Sequence, residues 1–515
     1  MPSSRVILRC LRVGWLGALI SCVHVREPVL HEPRAIPALA AVAAPLKVHS
    51  RAGTVYLLAQ WRFDTADSVL EGTGTLYGID RQPLASGAFR ILLDSIALLE
   101  TQRTETLHPF GIAALAGMTT VWGIVTIACV VDPKTCFGSC PTFYVDAVNR
   151  DRPLAEGFSA SFARALEATD VDALGLVQPG GRHITLRMAN EAWETHAVRT
   201  VQLLAVPARR PDEVFATAEG RFYGVEHVEP PAECAGLGGD CRAAVSARDS
   251  LEWHSPTDSS DLAAQETVEL AFGPPSPGQT LGLVLGARQS FVSTFVLYQT
   301  MAYFGHEASA WLAALERGDP IAHRAYAAVW GTLGRITVSV PDSVTGWREV
   351  GSFDEAGPIA SDIQLIPLGA TPRPPGETIR VRLTMARGSW RVGYAALVTL
   401  GAERAATTLE AIDVAGPDAR ARERLQSGGY LFTYPGDAYR LTYALPRAAA
   451  SYALYIKSRG YYYEWMRGEW LAEENPQMIA LLGLTPREAL RRLAPPFKAV
   501  EQGFEQHFWA SRFGR

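Results

Sequence analysis

The sequence predicts a mainly β, multidomain protein, and three observations carry that prediction. Short apolar runs with period-two alternation recur from residue 47 to 104 and again from 331 to 462. Turn residues punctuate them: the 515 residues include 45 Gly and 33 Pro. Hydrophobic residues make up 48% and charged residues 20%, too much apolar mass for a disordered chain. At roughly 100–200 residues per domain the length allows about three or four domains. The 48 Lys and Arg against 53 Asp and Glu give a net charge of -5 without a block of like charge. A nucleic-acid partner is therefore not expected.

Residues 1–22 are read as a signal peptide. Arg5, Arg9 and Arg12 form a basic start, and Val13 to Ile20 form an apolar run too short to span a bilayer. Leu19-Ile20-Ser21-Cys22 then resembles the lipobox of bacterial lipoproteins. That resemblance implies cleavage before Cys22 and acyl chains on its thiol and new amino group. The implied partner is membrane lipid, bound firmly because two or more chains anchor where one does not. Val23, rather than an acidic residue, follows the Cys, so the resemblance implies a lipid-anchored envelope protein at the outer rather than the inner membrane. The Pro- and Ala-containing stretch 23–46 is read as a tether.

Residues 47–104 are expected to form a small β-barrel. Strand candidates run from Thr54 to Trp61, from Ser68 to Tyr77 and twice within Phe89 to Glu100, with Gly72 and Gly74 allowing a bend. Their order resembles Sm-like small barrels. Residues 105–135 are expected to be an apolar helical segment. The uncharged run 109–131 is long enough to span a membrane, but a lipid at Cys22 and oxidised cysteines after 131 belong on the same side, so a buried or interfacial segment is expected.

Seven cysteines are present. Cys10 leaves with the signal peptide, and Cys129 lies in the apolar run. The close couples Cys136, Cys140 and Cys234, Cys241 are expected as disulfides outside the cytoplasm. A four-thiolate zinc site is the alternative, but the spacings C-x3-C and C-x6-C depart from zinc knuckles. No cofactor is expected. The segment Asp132 to Tyr144, with its Cys-Pro-x-x-Tyr, resembles a group of bacterial lipoproteins that carry it after a small barrel and an apolar segment. That likeness, over about 130–400, implies architecture and no chemistry.

Residues 136–290 read as a β-rich domain, 291–330 as a helical insertion and 331–462 as a β-sandwich. Leu281 to Arg288 is a continuous apolar strand, and Arg335 to Val340 and Ile379 to Met385 alternate. Residues 463–515 read as a helical tail. Thr485-Pro-Arg-Glu488 is a capping box, and Pro495-Pro496 are expected to stop its helix.

No Walker loop, dinucleotide fingerprint or G-x-S-x-G elbow is present. His306-Glu307 lacks the second His of a zincin. Glu191 and Glu194 flank Trp193, a carboxylate pair of the kind a glycosidase uses. Tyr461, Tyr462, Tyr463, Trp465 and Trp470 form the densest aromatic cluster, a candidate ligand contact for a protein or glycan. The function expected is a non-catalytic binding or assembly module; the alternative is a glycan- or peptide-cleaving hydrolase with scattered carboxylates. The lipobox reading has a direct check. A labelled fatty acid should be incorporated by the wild type and lost in Cys22→Ser, and equal label in both would refute it.

Overall fold

A computed structural model of the chain describes residues 23–31, 33, 36–39, 46–50, 54–77, 83–107, 140–145, 153–177, 183–192, 194–208, 213–276, 278–354, 357–369, 376–434, 436–446, 451–464 and 473–511. It is mainly β, with 50% strand and 22% helix spread over several sheets. The chain divides into two compact units, Met1–Ile124 and Val125–Arg515. Among the described residues no helix is long and apolar enough to cross a membrane. Cys22, Cys136 and the run 109–131 lie outside them.

The described residues of the first unit form one sheet of six strands: β1 (Val23–His31), β2 (Leu46–Ser50), β3 (Val55–Asp64), β4 (Val69–Tyr77), β5 (Pro83–Leu92) and β6 (Ile96–Leu107). β2 to β5 form a meander and β6 returns beside β2. Inward positions Val48, Leu58, Leu70, Ile91 and Leu99 share a core with Ile36 and Leu39 of a short helix. The stretch 23–46 is therefore not simply a tether. β1 pairs with β6 over Val23↔Leu107 to His31↔Leu99 and covers the edge of β6 that β2 leaves open. Val23, Val25 and Val29 supply the β-branched residues such an edge strand favours.

The second unit is nested. Its outer layer comprises two sheets whose strands come from both ends of the unit. Glu194–Ala208 pairs antiparallel with Ser451–Glu464 from Glu194↔Glu464 to Ala208↔Ser451. His183–Ala189 pairs with Ala438–Ala444. Tyr443 of one sheet donates to the Val201 carbonyl of the other at 3.0 Å.

A sandwich of two further sheets is inserted between these ends. One contains Leu281–Gln289 between Trp390–Arg404 and Asp362–Pro367. The other contains Gln265–Phe272, Ile379–Ala386 and Ile336–Asp342. Leu283, Leu285 and Leu397 meet Val268, Val338, Val381 and Phe353 in their common core. The disulfide Cys234–Cys241 lies against this core. Closing so short a loop is worth about 2–3 kcal/mol in the entropic account.

Pairing crosses the expected boundaries at 290 and 330. The sandwich draws strands from 213 to 404 rather than from 331 to 462. The helices Val292–Phe304, Ala308–Glu316 and Pro320–Leu333 interrupt it as an insertion. Asp319 caps the last of these, its carboxylate accepting from the Ile321 and Ala322 N–H groups. The tail is helical at Pro476–Leu484 and Pro486–Ser511. The second helix starts after Thr485 as its cap predicts, but it runs through Pro495 and Pro496. Proline inside a helix removes backbone bonds; here burial of Leu490, Leu493, Ala494 and Phe497 carries the helix across.

Asp362 marks a seam between the inserted sandwich and the outer sheets. Its carboxylate accepts from Gln364 at 2.8 Å and from the Ala173 N–H of a neighbouring sheet at 3.5 Å. Burial pushes its pKa up to about 6, against the lowering effect of those hydrogen bonds. A raised carboxyl pKa means the fold prefers the protonated form, so stability is lost as pH rises from about 4 through about 6. A shift of this size corresponds to about 3 kcal/mol. Denaturant midpoints should therefore fall for the wild type relative to Asp362→Asn between pH 4 and pH 8. Parallel profiles for the two proteins would show that the seam carries no such load.

Candidate functional site

A cleft opens between the helical insertion and the outer sheets of the second unit. Glu156, Tyr298, Trp330, Tyr462 and Glu464 are among the residues that line it. It is built from the chain start upward. Thr142–Val145 pairs with the two-residue strand Ala155–Glu156 through Thr142↔Glu156. Gly157 N–H donates to Pro141 at 3.0 Å. The loop that follows lies on the strand Ser451–Glu464, where Tyr462 N–H donates to Ser161 and its hydroxyl to Ser159. Gly460 makes that approach possible: a Cβ there would meet the Ala197 oxygen at 2.4 Å and the Phe158 ring at 2.8 Å.

Glu156 is 3% exposed. Its Oε2 accepts from Ile359 N–H at 2.8 Å and Ala360 N–H at 3.4 Å. A Cβ at Gly357 would sit 2.1 Å from that carboxyl group, so only glycine admits the contact. The carboxylate thus anchors the 357–360 loop and forms the back of the cleft. Glu464 is half-buried at the end of its strand and accepts from Tyr298 at 2.9 Å. Tyr298 comes from Val292–Phe304, a helix buried on most of its surface. Burial, reinforced by Cys140, Glu194 and Glu464, holds the Tyr462 hydroxyl well above its ordinary pKa. It is therefore a neutral donor.

Aromatic rings continue from the cleft along the helical insertion. Tyr326 stacks on Trp330 at 5.0 Å, and both rings meet Phe162, at 5.4 and 5.8 Å. Phe162 stacks on Trp311 at 5.9 Å, and Trp311 on Phe304 at 4.7 Å. Tyr326 and Trp330 are one helical turn apart, which puts them on one face. Trp311, Tyr326 and Trp330 are half-buried.

The candidate ligand-contact cluster is divided by strand alternation. Tyr461 is buried against Tyr430 and Tyr463, both at 5.3 Å. Tyr463 is 8% exposed, and its hydroxyl donates to Glu316. Tyr462 alone of the three lines the cleft. These tyrosines are buried rather than an exposed platform, because a central strand covered on both faces buries most of the side chains it carries. Trp465 and Trp470 lie outside the described residues. Cys140 is buried and borders the cleft; its expected partner Cys136 lies outside the description.

Glu191 and Glu194 take different partners. Glu191 accepts from Tyr144 at 2.8 Å and from Thr142 at 3.2 Å. Glu194, fully buried, meets His196 Nε2 at 2.6 Å. Sequence reading missed Glu156, Tyr298 and the ring series. The i, i+4 spacing of Tyr326 and Trp330 was the available signal.

Removing the Glu156 side chain leaves two buried backbone N–H groups unsatisfied, at about 1–3 kcal/mol each. Glu156→Ala should therefore lose about 2–5 kcal/mol in denaturant unfolding, while Glu156→Gln, which keeps an accepting oxygen, should lose less. Equal midpoints for Glu156→Ala and wild type would show that the loop is held by other contacts.

No family model and no curated protein matches this chain. Among solved structures, the crystal structure of the GH31 alpha-xylosidase from Xanthomonas citri aligns over 82% of this chain and 37% of that one. The identity is 8% and the TM-score 0.14, a likeness that carries no argument. This chain covers well under two thirds of that protein's length.

Proposed function

We propose that the protein is an envelope lipoprotein, anchored at Cys22, that binds a glycan in the cleft of its second unit without cleaving it. The observation that carries the binding reading is the ring series at the cleft: Trp330, half-buried, lines it together with Glu464 and stacks on Tyr326. Sugars are recognised by flat apolar faces that stack on their C–H surfaces, combined with carboxylate and hydroxyl groups that hydrogen-bond their edges. Rigid rings supply that area at low entropic cost.

The carboxylates support binding over hydrolysis. Glu156 is committed to backbone N–H groups of a structural loop, and Glu464 to Tyr298. A glycosidase needs one carboxyl group to deliver a proton and a second to attack or to activate water. An outer-membrane address, which the lipobox-like Leu19–Cys22 supports, would suit such a module, because glycans are abundant there. Membrane lipid through Cys22 and a glycan are the partners this reading names.

The test is calorimetry of the full-length protein in detergent with a panel of neutral oligosaccharides. At least one should bind, and Trp330→Ala should weaken it about tenfold, in line with the loss of one stacked ring. Reducing-end assays should show no product. Failure of every oligosaccharide to bind would overturn the reading, and release of reducing ends would replace it with hydrolysis.

A further inference from the structure

The sheet of the first unit has two edge strands, and they are unlike. β1 carries Arg26, Glu27 and Pro28 at its centre. Charges and a proline, which has no N–H to offer, keep a sheet edge from pairing with another chain. β5, at the other edge, reads Pro83-Leu-Ala-Ser-Gly-Ala-Phe-Arg-Ile-Leu92, and β4 is its only ladder partner among the described residues. We propose that this edge pairs antiparallel with the same edge of a second copy of the chain, making a twofold dimer centred on Ala88.

The edge is long, exposed and poorly defended. Every residue of β5 except Phe89 and Ile91 is exposed, and Leu84 and Leu92 are 61% and 62% exposed. The small side chains of Ala85, Ser86 and Ala88, with Gly87 between them, leave the edge flat. Pro83 and the register shift beside Tyr77 guard only its first residues. Phe89 and Ile91 turn inward to the core of the unit, where Phe89 meets Tyr56 at 5.2 Å. The strand is therefore held in place before any partner arrives, which lowers the cost of pairing. Its one charge, Arg90, is answered within its own chain, 2.7 Å from Asp67 and 3.8 Å from Glu71. An edge of this kind is a template for another strand, whose backbone completes the ladder.

Self-complementarity selects a second copy as the occupant. About a twofold axis at Ala88, Leu84 lies opposite Leu92, Ala85 opposite Ile91, Ser86 opposite Arg90 and Gly87 opposite Phe89. Each copy supplies both members of every pair, as a twofold interface requires. The exposed leucines cover each other at both ends, the bare Gly87 makes room for a ring, and no like charges meet. Neighbouring registers lose this fit. An axis at Gly87 sets Leu84 against Arg90, and one at Phe89 sets Leu92 against Ser86. A slip of one residue turns the core faces of the two copies to opposite sides of the joined sheet. One strand pair buries less than the roughly 1,600 Å² of a standard interface, so the dimer is reversible.

The experiment is analytical ultracentrifugation of the full-length protein in detergent across a concentration series. The wild type should pass from monomer to dimer as concentration rises. Ala88→Lys and Ala88→Glu each set like charges face to face at the axis and should each weaken the dimer roughly tenfold. Their equimolar mixture should restore it. Ala88 is exposed, so neither new side chain enters the core. Ala88→Cys gives a measure independent of charge, since mild oxidation should link two copies through position 88. A wild type that stays monomeric throughout would overturn the proposal and leave the edge to a strand of another protein. A dimer indifferent to Ala88→Lys, a mixture no stronger than its components, or no covalent dimer of Ala88→Cys would overturn it equally. The edge belongs to the first unit and the cleft to the second, so these outcomes leave the glycan reading to its own test.

Discussion

The second unit depends on a buried carboxylate. Taking Glu156 out of water costs several kcal/mol, and the site is stable only because the loop 357–360 turns its N–H groups toward it. The other side of that loop is held as firmly. Arg288 donates to the Pro358 carbonyl at 2.8 Å, and Gln289 N–H to Gly357 at 3.1 Å. Arg288 is itself fixed by a two-pronged contact with Glu252 at 2.7 and 2.6 Å. A relay of charged groups thus runs from the sandwich through one loop to the start of the outer sheets. Bidentate Arg–carboxylate pairs are directional, so the relay fixes position as well as supplying energy.

That relay is needed because of how the chain is threaded. Glu194–Ala208 meets Ser451–Glu464 only after the whole sandwich between them has been inserted. Two layers joined by nothing but two chain crossings would be free to rock. Glu156 and Asp362 each carry a sheet of one layer onto a strand or loop of the other, Glu156 through the N–H groups of Ile359 and Ala360 and Asp362 through that of Ala173. Burial makes Asp362 favour its neutral form. A comparable carboxylate, Glu167, is raised by burial but pulled down to about 2 by hydrogen bonds from Arg199, Tyr430 and Arg459. Cations surround the one that stays ionised, whereas only neutral donors reach Asp362.

Strand content was legible because side-chain period reports directly on which face is wet. Ile379–Ala386 buries Ile379, Val381, Leu383 and Met385 and leaves alternate positions outward. Leu281–Gln289 read as a continuous apolar run for a reason visible only in the fold. Leu283 and Leu285 enter the sandwich core, while Val284 packs with Tyr394 and Val398 on the other face. Domain boundaries were not legible, since pairing between residues some 250 positions apart leaves no local pattern. The site was least legible of all. Glu156 is one acidic residue in an unremarkable stretch, and its meaning comes from Gly357. The run Tyr461 to Tyr463 looked like a platform because composition ignores alternation, which sends Tyr462 one way and its neighbours the other. The helix crossing Pro495 and Pro496 likewise owes its continuity to tertiary burial that no propensity encodes.

The helix Val292–Phe304 shows why two unlike openings sit so close together. It has almost no polar face, with ten of its thirteen residues buried. A surface helix needs such a face, and a helix that serves as an internal wall does not. Thr294, Leu297 and Tyr298 turn toward the cleft, while Phe291, just before the helix, lines a second opening together with Lys498 and Glu501, and Phe295 backs it through Phe497. Both pockets therefore share one close-packed partition. Such packing resists gradual deformation. The partition holds Tyr298 on Glu464 at 2.9 Å and sets Phe291 in the wall of the other opening at once, so the geometry of each opening is set by the packing of the other.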